Sequence, residues 1–413
     1  MGRKIKMALG FITGRKHFQR ILRSYTYNWA ETDMAGKDDI SMNLYISYDL
    51  KYKNTRRNDY TSIRPEIAEK YDIIRFFGKN DEIELKERLL AGGHFDAKQI
   101  DMIFRRGYAS QRNQILYNAV KDHMDYILFL DDDEYPMAVT KAGDTALWSG
   151  QQVMRSHLQN IGGADMTVGY HCGYISPIPQ VEYSRELMED DFHRFIKSIS
   201  NDIVNWKSIK KVIDDGGVTY ADTVILKNRT VEEVPLINSS KFISGSNLCI
   251  NLKDPKRLFP FFNPPKARGE DTFLGTCLSK RKVLQVPCYT FHDGFMAYNH
   301  LLSGNLPGKL KKIEPDSAAV VKRFYNACVG WIRYKPLLLY VTDKRNYHAR
   351  IKEMKDELQS TLPKICDYFG TQDFMSLPAE LEKYDRTVEK QSELFDASRE
   401  IWSGLMKREI IHI

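Results

Sequence analysis

Long apolar runs are missing from this 413-residue chain; none approaches the ~18 residues of a membrane-spanning helix. Cysteine is scarce. The six (Cys172, Cys249, Cys277, Cys288, Cys328 and Cys366) include no CxxC pair, which excludes a zinc ribbon and argues against a disulfide framework at this length. Reduced, mostly buried thiols are expected. No charge of one sign dominates: 61 Lys+Arg face 54 Asp+Glu, a net +7 with no basic stripe, so nucleic acid is not an expected partner. No internal repeat or low-complexity linker marks a boundary. The apolar stretch near the N-terminus is too short for a signal peptide and ends at Arg15 and Lys16 without a cleavage site. Lys6 stands where N-myristoylation needs Ser or Thr. A cytoplasmic protein is expected, in contact with the inner face of the membrane only peripherally.

What is present suits an ordered globular chain, with 42% hydrophobic and 28% charged residues. Its length suggests two or three structural units. Met7–Thr13, Met42–Tyr48 and Ile73–Phe77 read as buried strands. Ile115, Leu116, Ala119, Val120 and Met124 recur at helical spacing and predict a helix over Ala109–Met124. Asp125–Asp131 is an unbroken apolar run between acids, the mark of a strand covered on both faces in a parallel sheet. A helix feeding such a strand is the rhythm of an α/β fold. Further strands are expected over Asp165–Tyr174, Val218–Leu226, Phe242–Asn251 and Val283–Phe291, with a charged helical insertion over Val181–Ile213. Beyond about residue 315, Arg350–Phe369, kinked at Pro363, and Ala379–Lys407 predict a helical C-terminal appendage.

The chemistry concentrates at Asp131-Asp132-Asp133-Glu134. Four consecutive acids directly after an apolar strand repel one another unless water or cations screen them. Ligands of open α/β sheets bind beyond the carboxyl ends of strands, and alternate residues of an extended chain share a face. Asp131 and Asp133 can thus converge on Mn²⁺ or Mg²⁺, hard cations that bridge carboxylates and phosphates. The plainer reading is a solvated turn. Glu270 and Asp271 read as the first turn of a helix, where carboxylates are favoured for capping alone. His292 closes an apolar strand, as a structural hydrogen-bonding group or as a metal ligand.

Taken together, these features resemble the GT-A-fold glycosyltransferases, particularly those similar to family 2, from about residue 5 to about 295. The resemblance implies a Rossmann-like α/β fold, a nucleotide-diphospho-sugar transferase with a mixed sheet, followed by the helical appendage. It implies a catalytic domain over 1–310, with a nucleotide-sugar-binding half (1–135) and an acceptor half (136–310), and a helical region over 311–413. In such enzymes the strand-end Asp-x-Asp holds a divalent cation on the donor diphosphate, matched by Asp131, Asp132 and Asp133. Asp133 is the foremost ligand and His292 the second, with Asp131 either joining them or turning to the ribose. The upstream helix matches with Arg106, Arg112 and Asn113 near the nucleotide. Thr13, Arg15 and Asp49 fall where the fold holds base and ribose, although Leu50-Lys51 replaces the usual short Gly/Ser turn after Asp49. Glu270-Asp271 supplies the base, with Asp271 taking the acceptor's proton in an inverting attack; in a retaining enzyme it would instead position the acceptor. Ser244, Gly245, Ser246 and Asn247 form either an acceptor loop or an ordinary bulged strand.

The implied partners are a UDP- or GDP-linked sugar and a saccharide, glycan or lipid-linked acceptor, in a setting such as polysaccharide biosynthesis, with homo-oligomerisation open. Lys309, Lys311 and Lys312 either clamp the diphosphate or coat a surface. Trp331, Tyr334, Lys335 and Trp402 either lean on a membrane or pack between helices. A nucleotidyltransferase would carry a Gly-rich phosphate loop after the first strand, and Phe11–Lys16 is only a faint version of one. An Asp-x-Asp phosphatase would want Thr or Val where Tyr135 stands. A non-catalytic sugar-binding protein would not need the intact set of acids and His292.

Overall fold

The computed structural model describes residues 4–37, 39–105, 107–201, 206–294 and 305–411. Four parallel strands open the sheet: β1 (Ile5–Thr13), β2 (Ile40–Tyr48), β3 (Ile73–Phe77) and β4 (Tyr126–Asp131), in the order β3-β2-β1-β4. β1 sends Met7, Leu9 and Phe11 into the core on one face of the sheet and Ala8 and Ile12 into the core on the other. Burial on both faces is why the sequence there lacks polar alternation. The chain steps outward from β1 to β3 and returns to β4 on the opposite flank of β1. The β1/β4 boundary is therefore a topological switch point, the place where α/β sheets open a crevice.

Past β4 the sheet becomes mixed. β5 (Glu134–Tyr135) precedes a hairpin of β6 (Met137–Ala142) and β7 (Thr145–Gly150), and β8 (Met166–Gly173) returns to the main sheet. The short strands β9 (Glu232–Glu233), β10 (Leu236–Ile237) and β11 (Ser240–Lys241) lead to β12 (Leu248–Asn251) and β13 (Val283–His292). The order continues β4-β12-β8-β13-β5, with β12 antiparallel to both neighbours and β8 and β13 parallel. Only Asp132 and Asp133 separate β4 from β5, which lies four places away in that order. Three residue steps reach about 10 Å, whereas four flat strand spacings need about 19 Å. The sheet must curl until its far strands fold back over the end of β4.

Some elements differ from the sequence reading. Val218–Leu226 is not a strand: Asp222 accepts a hydrogen bond from the Val224 amide at 2.7 Å and caps a short helix, Thr223–Asn228. Of Phe242–Asn251 only Leu248–Asn251 is in the sheet, because Asn247 takes a left-handed φ of 50°. The helix expected over Ala109–Met124 spans Tyr108–Lys121, and His123 has φ 56° just beyond it. Helix Tyr347–Phe369 runs on through Pro363, and Ala318–Thr342, a 25-residue helix missed in the sequence, contains Pro336. The segment read as one helix over Ala379–Lys407 is two, Leu377–Asp385 and Val388–Ile411.

The C-terminal helices share a third core with the insertion. Phe192, Phe195, Phe324, Phe369 and Phe374 interlock there with ring centroids 5.2–6.4 Å apart. Helix Val388–Ile411 enters two cores, placing Phe395 in this one and Trp402 and Leu405 beneath the sheet. Trp402 is fully buried, and Lys335, 1% exposed, donates from Nζ to the Lys197 carbonyl, so neither can lean on a membrane. Among the described residues, no helix is long and apolar enough to cross one. All six cysteines are free and five are buried. Truncating Phe324 to Ala is expected to destabilise the fold by about 3–5 kcal/mol, read as a lower urea midpoint with an unchanged slope.

Candidate active site

The parallel register of β1 and β4 sets Ile12 beside Asp131, so the loop after β1 borders the acid run. Thr13 Oγ1 donates to Asp132 at 2.7 Å. Arg15 bridges two acids, with Nε 3.1 Å from Asp132 and Nη2 2.7 Å from Asp133. Asp131 turns the other way, to Nη2 of Arg112 at 3.1 Å. The Arg112 guanidinium is buried between Phe129 and Phe261 and donates to the Gly245 carbonyl. The approach is close: a Cβ on Gly245 would lie 3.1 Å from Arg112 Nη2, and the guanidinium would have to give way by a few tenths of an ångström. Glu270 stands 3.9 Å from Arg112 Nε, too far for a hydrogen bond.

The curl brings β13 to the same place. His292 Nε2 lies 3.4 Å from Asp133, while Nδ1 donates to the Tyr174 carbonyl at 2.7 Å. That second bond fixes the tautomer and turns Nε2 toward the carboxylate. Glu134 is buried and accepts from Ser246 Oγ and Thr290 Oγ1, each at 2.8 Å, with His171 Nδ1 3.2 Å away. The β8/β13 register, which sets His171 beside Thr290, supplies two of these partners together.

These partners divide the acids electrostatically. Burial would raise the Asp133 carboxyl, but His292 and Arg15 outweigh it and hold the group well below the usual carboxylate range. Burial likewise opposes Glu134, and His171 overcomes it to lower the group. Asp131 and Asp132 are pushed up by burial and by their acidic neighbours, against the pull of Arg112 and Arg15 respectively. His292 rises to about 9; burial resists, but Asp133 wins. Asp271, in the first turn of helix Glu270–Thr276, rises to about 6 through burial and the adjacent Glu270. Its Oδ1 accepts from the Thr272 amide at 2.7 Å.

Several expected residues are placed elsewhere. Arg106 lies outside the described residues. Asp49 is exposed and caps its own turn at the Lys51 amide, so only its backbone, which donates to the Thr13 carbonyl, borders the site. Asn113 is buried, and its amide clasps the backbone at Ile103 and Phe261; it positions the helix rather than a nucleotide. Asn247 is fully buried between His157 and the Tyr170 carbonyl, out of an acceptor's reach. Ser244 Oγ accepts from the Ser246 amide, and Ser246 supports Glu134 and the Asp131 amide from within. Lys309 pairs with Asp144 on the β6–β7 hairpin at 3.3 Å, a surface contact.

Residues without a role in the sequence reading also gather here. The Tyr52 ring covers Gly14, and the Tyr108 ring lies 5.9 Å from the Arg268 guanidinium. Arg323, on helix Ala318–Thr342, donates to the Gly294 carbonyl.

Of the three expected ligands, Asp133 and His292 face each other, while Asp131 pairs with Arg112. Among the described residues no group of three or more His, Cys, Asp or Glu is arranged to hold a metal. Asp133 and His292 nonetheless suit Mg²⁺ or Mn²⁺, ions that take one or two carboxylates and complete their shell with waters and substrate phosphates.

No family model matches the chain, and no curated protein does. Among solved structures it is similar to the crystal structure of mouse xyloside xylosyltransferase 1 in its apo form, with 11% identity and a TM-score of 0.22. The match covers 47% of this chain and 58% of that one, less than two thirds of its length. A likeness this slight fixes neither fold nor function.

The network behind the acids makes a stability prediction. His157 is fully buried; Nε2 donates to Asn247 Oδ1 at 2.8 Å and Nδ1 accepts from Thr167 Oγ1 at 2.7 Å. Burial pushes its pKa down to about 4. The unfolded imidazole takes up a proton below about 6.5 and the folded one only near 4, so stability is full above that window and falls as pH drops through it. Between pH 7 and pH 5 the wild type should lose about 2 kcal/mol more than His157→Gln, measured by denaturant titration.

Proposed function

We propose that this chain is a glycosyltransferase that moves a sugar from a nucleoside diphosphate, UDP or GDP, to a hydroxyl of a saccharide or lipid-linked acceptor. The observation that carries this reading is the meeting of Asp133, in the crossing after β4, and His292, at the end of β13, beside Arg15 at the switch point. In this reading 1–310 is the catalytic part and 311–413 braces it.

Asp133 and His292 are the residues that would hold a divalent ion, whose chemistry when bound is to neutralise charge on the leaving diphosphate. Thr13 and Arg15 keep Asp132 and Asp133 oriented, and the His292–Tyr174 bond keeps Nε2 directed inward. Arg112 pairs with Asp131 and donates to the Gly245 carbonyl, and Glu270, next to Asp271, stands 3.9 Å from the Arg112 Nε. Asp271 is the proposed base. Its carboxylate, made more basic by burial and Glu270, takes the proton from the acceptor oxygen as that oxygen attacks the anomeric carbon. Attack opposite the departing nucleotide inverts the centre.

A base must be ionised to accept a proton, so kcat/KM should rise as pH climbs through about 6 and level off above it. Asp271→Asn should lower kcat by about 10²–10⁴-fold and remove that rise, in a pH series of initial rates. A thermal-shift screen of nucleotide sugars and nucleoside triphosphates, with and without Mn²⁺, tests the donor class. A Mn²⁺-dependent shift with a UDP- or GDP-sugar, lost in Asp133→Ala, is expected. A shift confined to triphosphates would instead indicate nucleotidyl transfer.

A further inference from the structure

The basic excess forms no stripe along the sequence, but folding collects part of it on one face. Two short runs from separate stretches of the chain, Lys253-Asp254-Pro255-Lys256-Arg257 and Lys280-Arg281-Lys282, are stapled together by Asp165, just ahead of β8. Its carboxylate accepts from Arg257 Nε at 2.6 Å and Nη2 at 2.9 Å, and from the Lys282 amide at 2.8 Å. The Asp165 amide donates to the Lys282 carbonyl, and Arg281 Nε donates to the Arg257 carbonyl at 3.3 Å. Here lies a hollow of about 370 Å³, bordered by Gly163, Asp165, Lys253, Asp254, Arg257 and Lys282. The face is at the end of β4 remote from the acid run, because Asn251 pairs with Tyr126, the first residue of that strand.

The two runs bring six cations to this face, and the carboxylates bordering the hollow are Asp165 and Asp254. Asp165 is held by Arg257, and Asp254 accepts from the Lys256 amide at 3.2 Å. At the margin Lys241, which donates to the Arg281 carbonyl, has its own partner in Glu233 at 2.7 Å. Lys253, Lys256, Lys280 and Lys282 are exposed and pair with no carboxylate among the described residues. Like charges held side by side repel one another, and a negative surface relieves that repulsion. Lys256 and Lys280 stand outside the hollow, so the charge extends past what one small anion covers. Tyr126 and Phe259, rings beside this face, lie under Lys253 and Arg281 at 4.9 and 5.1 Å, so they offer nucleic-acid bases no platform for stacking.

We propose that this face docks the chain on a membrane surface rich in anionic phospholipid, with a headgroup phosphate seated in the hollow. Clusters of about four to eight Lys and Arg attach proteins to such surfaces. Neither run carries an apolar side chain beyond Pro255, so the attachment is electrostatic and reversed by salt. Docking is independent of the transferase reading, and its test needs no substrate.

Flotation of the whole chain with phosphatidylcholine vesicles, with and without phosphatidylglycerol, is the test. Binding to the anionic vesicles alone, lost as salt rises, is expected. Lys253→Gln, Lys280→Gln and Lys282→Gln should each weaken it roughly fivefold, with the thermal midpoint unchanged. Gly163→Glu sets an acid in the hollow, where a Cβ meets nothing within 4 Å, and should weaken binding at least as much. Lys309→Gln, at the cation paired with Asp144, should lose nothing. No binding, equal binding to neutral vesicles, or binding unchanged in all three lysine variants overturns the proposal. Tighter binding of a single-stranded oligonucleotide at equal phosphate concentration, lost in the same variants, assigns the face to nucleic acid and overturns it too. Complete displacement by glycerol 3-phosphate overturns it in favour of a soluble phosphate ester.

Discussion

The two-residue crossing from β4 to β5 constrains everything around it. It cannot span the strands lying between its ends, so the sheet bends until His292 of β13 meets Asp133. The same bend draws the acids out of bulk water to different degrees, Glu134 almost wholly and Asp131 least, and each takes a counter-charge or donor of its own. Arg112 serves Asp131, Thr13 and Arg15 serve Asp132, Arg15 and His292 serve Asp133, and His171 with two hydroxyls serves Glu134. A buried acid stripped of its partner costs about 3–5 kcal/mol, a cost that falls most fully on Glu134, the buried member of the run. Fold and site are therefore one problem, because the crossing that curls the sheet consists of the chemically active residues themselves.

How far this was legible in the sequence depends on the range of the interaction. β1 to β4 announce themselves through apolar runs, and the acid run through its place directly after one. Local signals also mislead. Val218–Leu226 has strand composition, yet the Asp222 cap turns its second half into a helix. Asn113 and Asn247 have the right residue type for ligand binding, but in the folded chain their amides point inward to backbone and His157. His171 and Thr290 gain their role from the pairing of β8 with β13, more than a hundred positions apart, and nothing near either one marks it.

The sequence presents the C-terminal helices as an appendage, and their packing gives them a closer relation to the sheet. Helix Val388–Ile411 begins in the aromatic core with Phe395 and ends beneath the sheet with Trp402 and Leu405. Near its end, Tyr117 of the helix before β4 donates to Glu409. The proline-containing helices tolerate Pro336 and Pro363 because tertiary burial of Leu337, Leu338, Leu362 and Ile365 holds turns that lack a backbone donor.

Helix Glu270–Thr276 has a related property on a smaller scale. Its consecutive residues Phe273 and Leu274 belong to different cores, the first among the C-terminal helices and the second beneath the sheet. The helix is a rivet through the seam between the two layers, and Asp271 rides on its head. Slippage of one layer over the other would mis-aim that carboxylate long before it unravelled either layer.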